Sequence, residues 1–239
     1  MIMSLIRQNL QAITATIVAT AQESGRPPGA VQLLAVSKTF GPEAVLEAVE
    51  AGQRAFGENY LQEGLDKIHA VQQALGDAGP ALAWHFIGPI QSNKTRPIAE
   101  HFAWVHTVER EKIAQRLSEQ RPAGLAPLQV CLQVNVSGEA SKSGVAPDEV
   151  AALAHKVAAL PNLTLRGLMA IPEPADDFAQ QRAAFAQLRT IYEQLRADGL
   201  ALDTLSMGMS ADLRAAIFEG ATIVRVGSAI FGARNYNKA

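Results

Sequence analysis

A lysine that ends a short apolar run is the residue of this sequence with the most specific chemistry. Lys38 follows the apolar run 33–37, and residues 39–42 then turn the chain towards a helix. Loss of water on burial favours the neutral form of a lysine amine. Because a neutral amine attacks carbonyl carbons, Lys38 is a candidate for condensation with an aldehyde or ketone.

Two loops near the end of the chain could bind a phosphate group. Residues 206–210 read Ser-Met-Gly-Met-Ser, and residues 227–232 read Gly-Ser-Ala-Ile-Phe-Gly. Both contain small residues, hydroxyl groups and backbone N–H groups near a predicted helix start, which attract anions. A plain turn would explain either loop alone, but two such loops after the last two predicted strands favour a phosphate site.

Arg225 is predicted to point into the same region. It lies on the last predicted strand, where the alternation of side chains puts residues 223, 225 and 227 on one face. If the sheet closes into a barrel, this strand lies beside the first one, which brings Arg225 close to Lys38. The alternative is that Arg225 pairs with a carboxylate inside the barrel, such as Glu58.

An amine, a phosphate site and a fixed arginine together match pyridoxal 5′-phosphate, which carries an aldehyde, a phosphate and a ring nitrogen. An arginine beside that nitrogen keeps it unprotonated and makes the cofactor a weak electron sink. Such a site would support restrained carbanion chemistry, or cofactor binding without catalysis.

The elements that must position these groups alternate along the whole chain. Amphipathic helical segments separate eight β-rich runs, at residues 31–37, 54–58, 83–88, 104–108, 128–136, 164–170, 204–209 and 222–226. This alternation predicts parallel strands joined by right-handed crossovers. We therefore predict an α/β fold with a single domain over residues 1–239, a (β/α)8 TIM barrel with an extra N-terminal helix. An open, doubly wound sheet is the alternative.

Periodic apolar residues locate several of the helices. One apolar stripe spans residues 61–75 and another spans residues 178–195. Pro42 and Pro147 are each predicted to lie in the first turn of a helix. The extra N-terminal helix carries one apolar face, formed by Ile6, Leu10, Ile13 and Ile17.

The composition narrows the functional classes. The 239 residues are 48% hydrophobic with a net charge of −2, so a large core is expected and nucleic acid is not an expected partner. We find neither a signal peptide nor an apolar run of about 18 residues that could span a membrane. The single Cys131 is predicted to be a buried strand residue and cannot form an intrachain disulfide, which fits a cytoplasmic protein. The histidines and this cysteine have no metal-ligand spacing, so we predict no metal.

Three further polar residues have two interpretations each. His85 and His106 end predicted strands, where a histidine could stack on a ring or relay a proton, but a hydrogen-bonded core histidine is the interpretation we favour. Lys142 lies in a polar loop and could be a second amine or a cation near the site, but a solvated loop lysine explains it as well.

Several longer motifs resemble those of the pyridoxal phosphate homeostasis protein family. They follow one another in the family's order through nearly the whole chain, and the Trp84–Lys94 and Ser206–Ser210 blocks are specific to that family. The motifs are Ala-Val-Ser-Lys at 35–38, Phe-Gly-Glu-Asn-Tyr at 56–60, Trp-His-Phe-Ile-Gly-Pro-Ile-Gln-Ser-Asn-Lys at 84–94, Gly-Leu-Met at 167–169, Leu-Ser-Met-Gly-Met-Ser at 205–210 and Arg-Val-Gly at 225–227.

This resemblance implies the barrel of the alanine racemase N-terminal domain and a set of cofactor contacts. Lys38 would hold pyridoxal 5′-phosphate as an internal aldimine, and Arg225 would face the pyridine nitrogen. Asn59 and Met207 would line the pocket, and the phosphate would be surrounded by Ser206, Ser210, Gly227 and Ser228. Ser228 stands where the family pattern has threonine, and both residues offer a hydroxyl. The family is associated with vitamin B6 homeostasis and has no firm catalytic activity.

Two enzymatic alternatives stay open at this point. A racemase of the resembling fold takes a tyrosine base from a second domain, whereas this chain has three tyrosines and ends after the eighth predicted unit, so only weak amino-acid racemisation is expected. An aldolase-like barrel would use the lysine and the phosphate loops but would leave Arg225 without a role. The absence of a second domain also predicts a monomer, and apo-enzymes that accept the cofactor are possible partners.

Overall fold

A closed barrel of eight parallel strands forms the centre of the molecule, which confirms the predicted (β/α)8 fold. The computed structural model describes residues 4–137 and 143–233. The strands are β1 Gln32–Val36, β2 Ala55–Glu58, β3 Ala83–Phe86, β4 Trp104–Val108, β5 Leu128–Gln133, β6 Leu163–Met169, β7 Thr204–Ser206 and β8 Ile223–Val226. The helices around them are α1 Leu5–Glu23, α2 Pro42–Glu50, α3 Leu61–Leu75, α4 Thr95–His101, α5 Glu111–Gln120, α6 Val150–Ala158, α7 Phe178–Ala197, α8 Leu213–Phe218 and α9 Ser228–Phe231.

The barrel closes where β8 pairs with β1. Leu34 lies opposite Arg225 and Ala35 lies opposite Val226 in this parallel pairing. Because a strand's side chains alternate between its two faces, the register fixes which residues of β8 enter the barrel. The first and last strands therefore bring residues 191 positions apart to one edge, as predicted.

Side chains on the two faces of the strands pack in two separate apolar groups. A small group inside the barrel contains Leu34, Val36, Ala55, Ile87 and Ile223. The larger group lies between strands and helices and includes Val224 and Val226. Ile223 thus faces inward and its neighbours in β8 face outward, so Arg225 shares the inward face, as the alternation predicts.

The helices follow the predicted apolar stripes. Gly76, with a φ of +64°, follows α3 as its C-cap. The side chain of Asp177 caps α7 by accepting a hydrogen bond from the N–H of Gln180. The predicted N-terminal helix is present as α1, which packs against α2, α8 and α9.

Several strands end earlier than predicted, and one proline lies outside its predicted helix. The run predicted at 204–209 leaves the sheet after Ser206, because Gly208 adopts a φ of +93° and turns the chain. Pro42 does lie in the first turn of α2, whereas Pro147 lies in a turn three residues before α6 begins. Cys131 is fully buried in β5, as predicted. In the described ranges, no helix has both the length and the apolar composition needed to cross a membrane.

Candidate functional site

A pocket of about 270 Å³ opens at the carboxyl ends of the strands and collects most of the predicted site residues. Six of them line it: Lys38, Asn59, Ser210, Arg225, Gly227 and Ser228. Apolar residues complete the wall, namely Val36, Ile87, Ile171, Met209 and Ala211. The location agrees with the rule that barrel sites form at this end of the strands.

Lys38 reaches the pocket from a sharp turn after β1. Lys38 is half-buried, and the turn is closed by a hydrogen bond from the N–H of Phe40 to the carbonyl of Ser37 at 3.1 Å. The next residue, Thr39, has a φ of +67°. This left-handed conformation costs a residue with a Cβ roughly 1–2 kcal/mol, so the surrounding contacts must stabilise the turn.

A buried ion pair lies directly behind this turn. The ammonium of Lys67 lies 2.6 Å from Glu58 Oε1, 3.0 Å from Glu63 Oε1 and 2.7 Å from the carbonyl oxygen of Ser37. The Ser37 hydroxyl also donates to Glu58 Oε1 at 2.6 Å. Burial raises the pKa of the Glu58 carboxyl, and the charge and hydrogen bond of Lys67 oppose that shift.

Sequence reasoning missed Lys67, although the sequence contains a signal for it. Lys67 lies on the buried face of α3, where the other buried residues are Gly64, Ile68 and Val71. A lysine on an apolar helix face is rare unless it is paired. A glutamate one helical turn earlier, at position 63, supplies part of that pairing.

Arg225 is held by oxygen atoms of the neighbouring strand ends. One terminal guanidinium nitrogen donates to the carbonyl of Ser206 at 2.7 Å and to its hydroxyl at 2.8 Å, and the other donates to the carbonyl of Ala170 at 2.9 Å. The alternative partner Glu58 is wrong, because that carboxylate is bound by Lys67. Burial lowers the pKa of Arg225 to about 10, so the side chain is still a cation at neutral pH.

His106 and His85 extend this hydrogen-bonded chain into the barrel. His106 Nδ1 lies 2.7 Å from Ser206 Oγ, and His106 Nε2 lies 2.9 Å from His85 Nδ1. Burial lowers the pKa of His85 to about 3, and burial followed by the charges of His85 and Arg225 lowers that of His106 well below its usual value. Both rings are therefore neutral core histidines, and they are linked to the pocket through Ser206 and Arg225.

At the far end of these linked hydrogen bonds, one ring nitrogen finds no partner in the described part of the structure. His85 Nε2 is buried and has no hydrogen-bond partner among the described residues. The His85 ring stacks on Trp104 with 5.2 Å between ring centroids and an interplanar angle of 5°.

Two predicted site residues are not in the pocket wall. Ser206 lies below it, where its hydroxyl contacts Arg225 and His106. Met207 points the other way along the same segment and is fully buried in the larger apolar group. Met209 and Ile171, which sequence reasoning did not select, line the pocket instead. Lys142 lies outside the described residues.

Close backbone packing brings Asn59 to the pocket. A Cβ on Gly88 would lie 2.0 Å from the carbonyl oxygen of Asn59, so only glycine allows the loop after β3 to approach so closely. The side-chain oxygen of Asn59 is buried and has no hydrogen-bond partner among the described residues. Because a buried polar atom normally has a partner, this oxygen is a candidate contact for a ligand donor.

Within residues 4–137 and 143–233, no group of three or more histidine, cysteine, aspartate or glutamate side chains is arranged to hold a metal ion. The pocket instead presents an amine, a guanidinium, an amide and two hydroxyl groups. This set suits an anionic ligand that also carries a carbonyl carbon.

Comparison with known proteins identifies relatives along almost the full sequence. The profile of the family described as alanine racemase, N-terminal domain, matches residues 8–235. A pyridoxal phosphate homeostasis protein from Pseudomonas aeruginosa is 65% identical over 234 residues, which cover 98% of each chain.

Solved structures of similar fold include one with substantial sequence identity and one with low sequence identity. PipY of Synechococcus elongatus PCC7942, whose structure was solved with PLP bound, is 38% identical, with a TM-score of 0.80 over 95% of this chain and 100% of its own. Alanine racemase from Corynebacterium glutamicum is 18% identical, with a TM-score of 0.70 over 96% of this chain and 60% of the racemase. The racemase similarity concerns the fold alone.

Proposed function

The chain belongs to the pyridoxal phosphate homeostasis protein family, and from this premise we propose that it binds pyridoxal 5′-phosphate in the pocket at the barrel mouth. We propose further that it holds, buffers or transfers the cofactor in vitamin B6 homeostasis. The convergence of Lys38, Arg225 and Ser228 on one pocket is the observation that carries the proposal.

The chemical groups of the pocket fit the parts of the cofactor. The aldehyde would condense with the Lys38 amine to give a Schiff base, with loss of the carbonyl oxygen as water. The hydroxyl groups of Ser210 and Ser228, next to Gly227, suit a phosphate at the outer end of the pocket. The volume of about 270 Å³ lies slightly below the usual range for ligand pockets, which limits the pocket to a small ligand.

Arg225 supports a restrained chemistry. The hydrogen bonds of its terminal nitrogens to Ser206 and Ala170 fix the guanidinium beside the pocket. A cation in this place disfavours protonation of a ring nitrogen, and an unprotonated ring withdraws electrons weakly. The Ser206 side chain positions Arg225, and the Met207 side chain packs in the larger apolar group. We therefore propose that these two residues support the pocket, whereas the family resemblance implied direct contacts with the cofactor.

The pocket wall also argues against efficient catalysis. Apart from Lys38, none of the described lining residues is a histidine, cysteine, tyrosine or carboxylate that could exchange a proton near neutral pH. The hydroxyl of Tyr192 donates to the carbonyl of Leu202, away from the pocket. We therefore propose a binding protein without an efficient activity of its own, in which weak racemisation would depend on Lys38 and water.

We extend the proposal to the cellular setting. The protein would act in the cytoplasm as a monomer of one domain over residues 1–239, and apo-enzymes that need the cofactor would be its acceptors. The net charge of −2 gives no attraction to nucleic acid.

Titration with pyridoxal 5′-phosphate tests this function. The proposal expects a saturable change in the cofactor's absorption that Lys38→Ala removes and Lys112→Ala, an exposed lysine on α5, retains. The proposed function would be contradicted if the absorption spectrum of the wild-type protein mixed with the cofactor equalled the sum of the two separate spectra.

A further inference from the structure

Two side chains of α3 hold the backbone on both sides of Lys38. On the amino side, Lys67 Nζ donates to the carbonyl oxygen of Ser37 at 2.7 Å. On the carboxyl side, the N–H of Thr39 donates to Glu63 Oε1 at 2.5 Å. The two side chains also bind each other, at 3.0 Å between Lys67 Nζ and Glu63 Oε1.

We propose that Lys67 and Glu63 are positioning residues that clamp the turn at Lys38 and so direct its amine into the pocket. The inference rests on the proposed function for its purpose, because it concerns how Lys38 is presented to an aldehyde. Its geometry rests on separate observations: the three contacts of Lys67, the hydrogen bond from the Ser37 hydroxyl to Glu58, and the contact at Thr39.

The strained backbone explains why a clamp is needed. Thr39 is one of two non-glycine residues with a positive φ in the described part of the chain. A free Thr39 would leave the left-handed region, because its Cβ clashes with the backbone there. That change would rotate the peptide next to Lys38 and move its side chain away from Arg225 and Ser228.

Lys67 is suited to this role because its hydrogen-bonding capacity is fully used. An ammonium has three donors, and Lys67 directs one each to Ser37, Glu58 and Glu63. Its side chain is only 2% exposed. A second lysine near the barrel mouth is thereby kept from competing with Lys38 for an aldehyde.

Glu58 anchors the clamp to the barrel. It ends β2, and its Oε1 accepts from both Lys67 and the Ser37 hydroxyl. The next residue is Asn59, which lines the pocket. The same buried ion pair therefore connects the ends of β1 and β2, from which two of the pocket residues extend.

Glu63 offers the best substitution, because its side chain is one-third exposed and its loss does not open the core. Glu63→Ala removes the acceptor of the Thr39 N–H. Glu63→Gln keeps an amide oxygen that can accept from both Thr39 and Lys67. Asp66→Ala, an exposed site three residues further along α3, is the matched control.

The first measurement is amide hydrogen exchange at Thr39 in the protein without cofactor. Glu63→Ala should accelerate exchange by about tenfold or more, as expected for loss of a hydrogen bond to a charged acceptor. Glu63→Gln and Asp66→Ala should exchange like the wild type. Unchanged exchange in Glu63→Ala overturns the proposal.

The second measurement compares the reactivity of the Lys38 amine towards two aldehydes. Reductive methylation by formaldehyde, scored by mass spectrometry against Lys112, should become faster at Lys38 in Glu63→Ala, because a released turn exposes the amine. Reductive coupling to pyridoxal 5′-phosphate at the same residue should become weaker by about tenfold if the lost contact costs one hydrogen bond. Glu63→Gln should restore both. Lys38 reactivity equal to that of wild type with both aldehydes overturns the proposal.

The two measurements separate this inference from the proposed function. If wild-type Lys38 forms no product with pyridoxal 5′-phosphate, the proposed function fails. Hydrogen exchange and formaldehyde labelling then still decide whether the clamp exists. Lys67→Met provides a stronger form of the test if it folds, since it should accelerate exchange at Thr39 while its own position can no longer be labelled.

Discussion

Arg225 and Ser206 are joined twice, because one guanidinium nitrogen lies 2.7 Å from the Ser206 carbonyl oxygen and 2.8 Å from its hydroxyl oxygen. Since the hydroxyl accepts from Arg225, its own proton is available to His106 Nδ1, 2.7 Å away. If that proton is donated to Nδ1, His106 must carry its own proton on Nε2 and donate it to His85 Nδ1, which lies 2.9 Å away. We therefore expect the cation at the pocket to set the direction of a buried chain of neutral hydrogen bonds.

This chain predicts the tautomers of two buried histidines. Nitrogen NMR of protein with 15N-labelled histidine should find both His106 and His85 protonated on Nε2 only, at neutral pH. Burial keeps the pKa of each ring low, so no imidazolium signal is expected from either. A proton on His106 Nδ1 would contradict the direction of the chain.

A serine substitution provides the matched test of the same chain. Ser206→Ala removes the hydroxyl that both Arg225 and His106 contact. We expect the His106 resonances to shift and its tautomer to become mixed, because Nδ1 loses its donor. Ser210→Ala, at the exposed rim of the pocket, should leave those resonances in place.

The low histidine pKa values also predict an acid-sensitive fold. Folded His85 stays neutral down to about pH 3, whereas in the unfolded chain it binds a proton below about pH 6.5. Protons therefore favour the unfolded state, and the stability present above pH 6.5 is lost as the pH falls. The free energy of unfolding should decline by up to about 1.4 kcal/mol per pH unit for this one group.

Comparison of variants isolates the histidine contribution. Urea unfolding of wild type and His85→Phe between pH 6 and pH 4.5 should yield a steeper decline for the wild type. Glu58, with its raised pKa, acts in the opposite direction: its folded form binds more protons above its usual pKa, so its contribution falls as the pH rises. Glu58 is common to both proteins and cancels in the difference. Parallel curves would refute a neutral buried His85, and His155→Gln, an exposed site, should match the wild type.

Arg225 is predicted to control the electronic state of a bound cofactor. Arg225→Glu would place a carboxylate beside the ring nitrogen and favour its protonation, so the absorption of the lysine-bound cofactor should change. Arg225→Gln, a neutral side chain, should have an intermediate effect. An unchanged spectrum in both variants would mean that Arg225 does not face the ring; Arg96→Glu, which is exposed, is the control.

Much of this architecture could be predicted because an apolar run indicates where a strand lies, and the alternation within it indicates which residues face inward. The apolar runs located the eight strands, and alternation in β8 correctly put Arg225 inside the barrel. Lys38 and Gly227 could be assigned to one pocket because closure of the barrel makes β1 and β8 neighbours.

The same patterns could not predict depth along the barrel axis. Alternation along the strand is consistent with Ser206 facing inward, but it does not say how deep in the barrel the residue lies. Ser206 lies below the pocket because β7 ends there and Gly208 turns the chain away. Lys67 was missed because a lysine on a helix normally reaches water; Glu63 was a local signal, but the fully buried partner Glu58 lies on β2 and is brought to Lys67 only by the fold. Such pairings depend on tertiary contacts between elements.

The most direct test of the account is to identify the residue that binds the cofactor. Borohydride reduction of the protein with pyridoxal 5′-phosphate, followed by peptide mass mapping, should find a pyridoxyl group on Lys38. Lys67, whose donors are all engaged, should carry none. A pyridoxyl group found only at another lysine, or at none, would contradict the central claim.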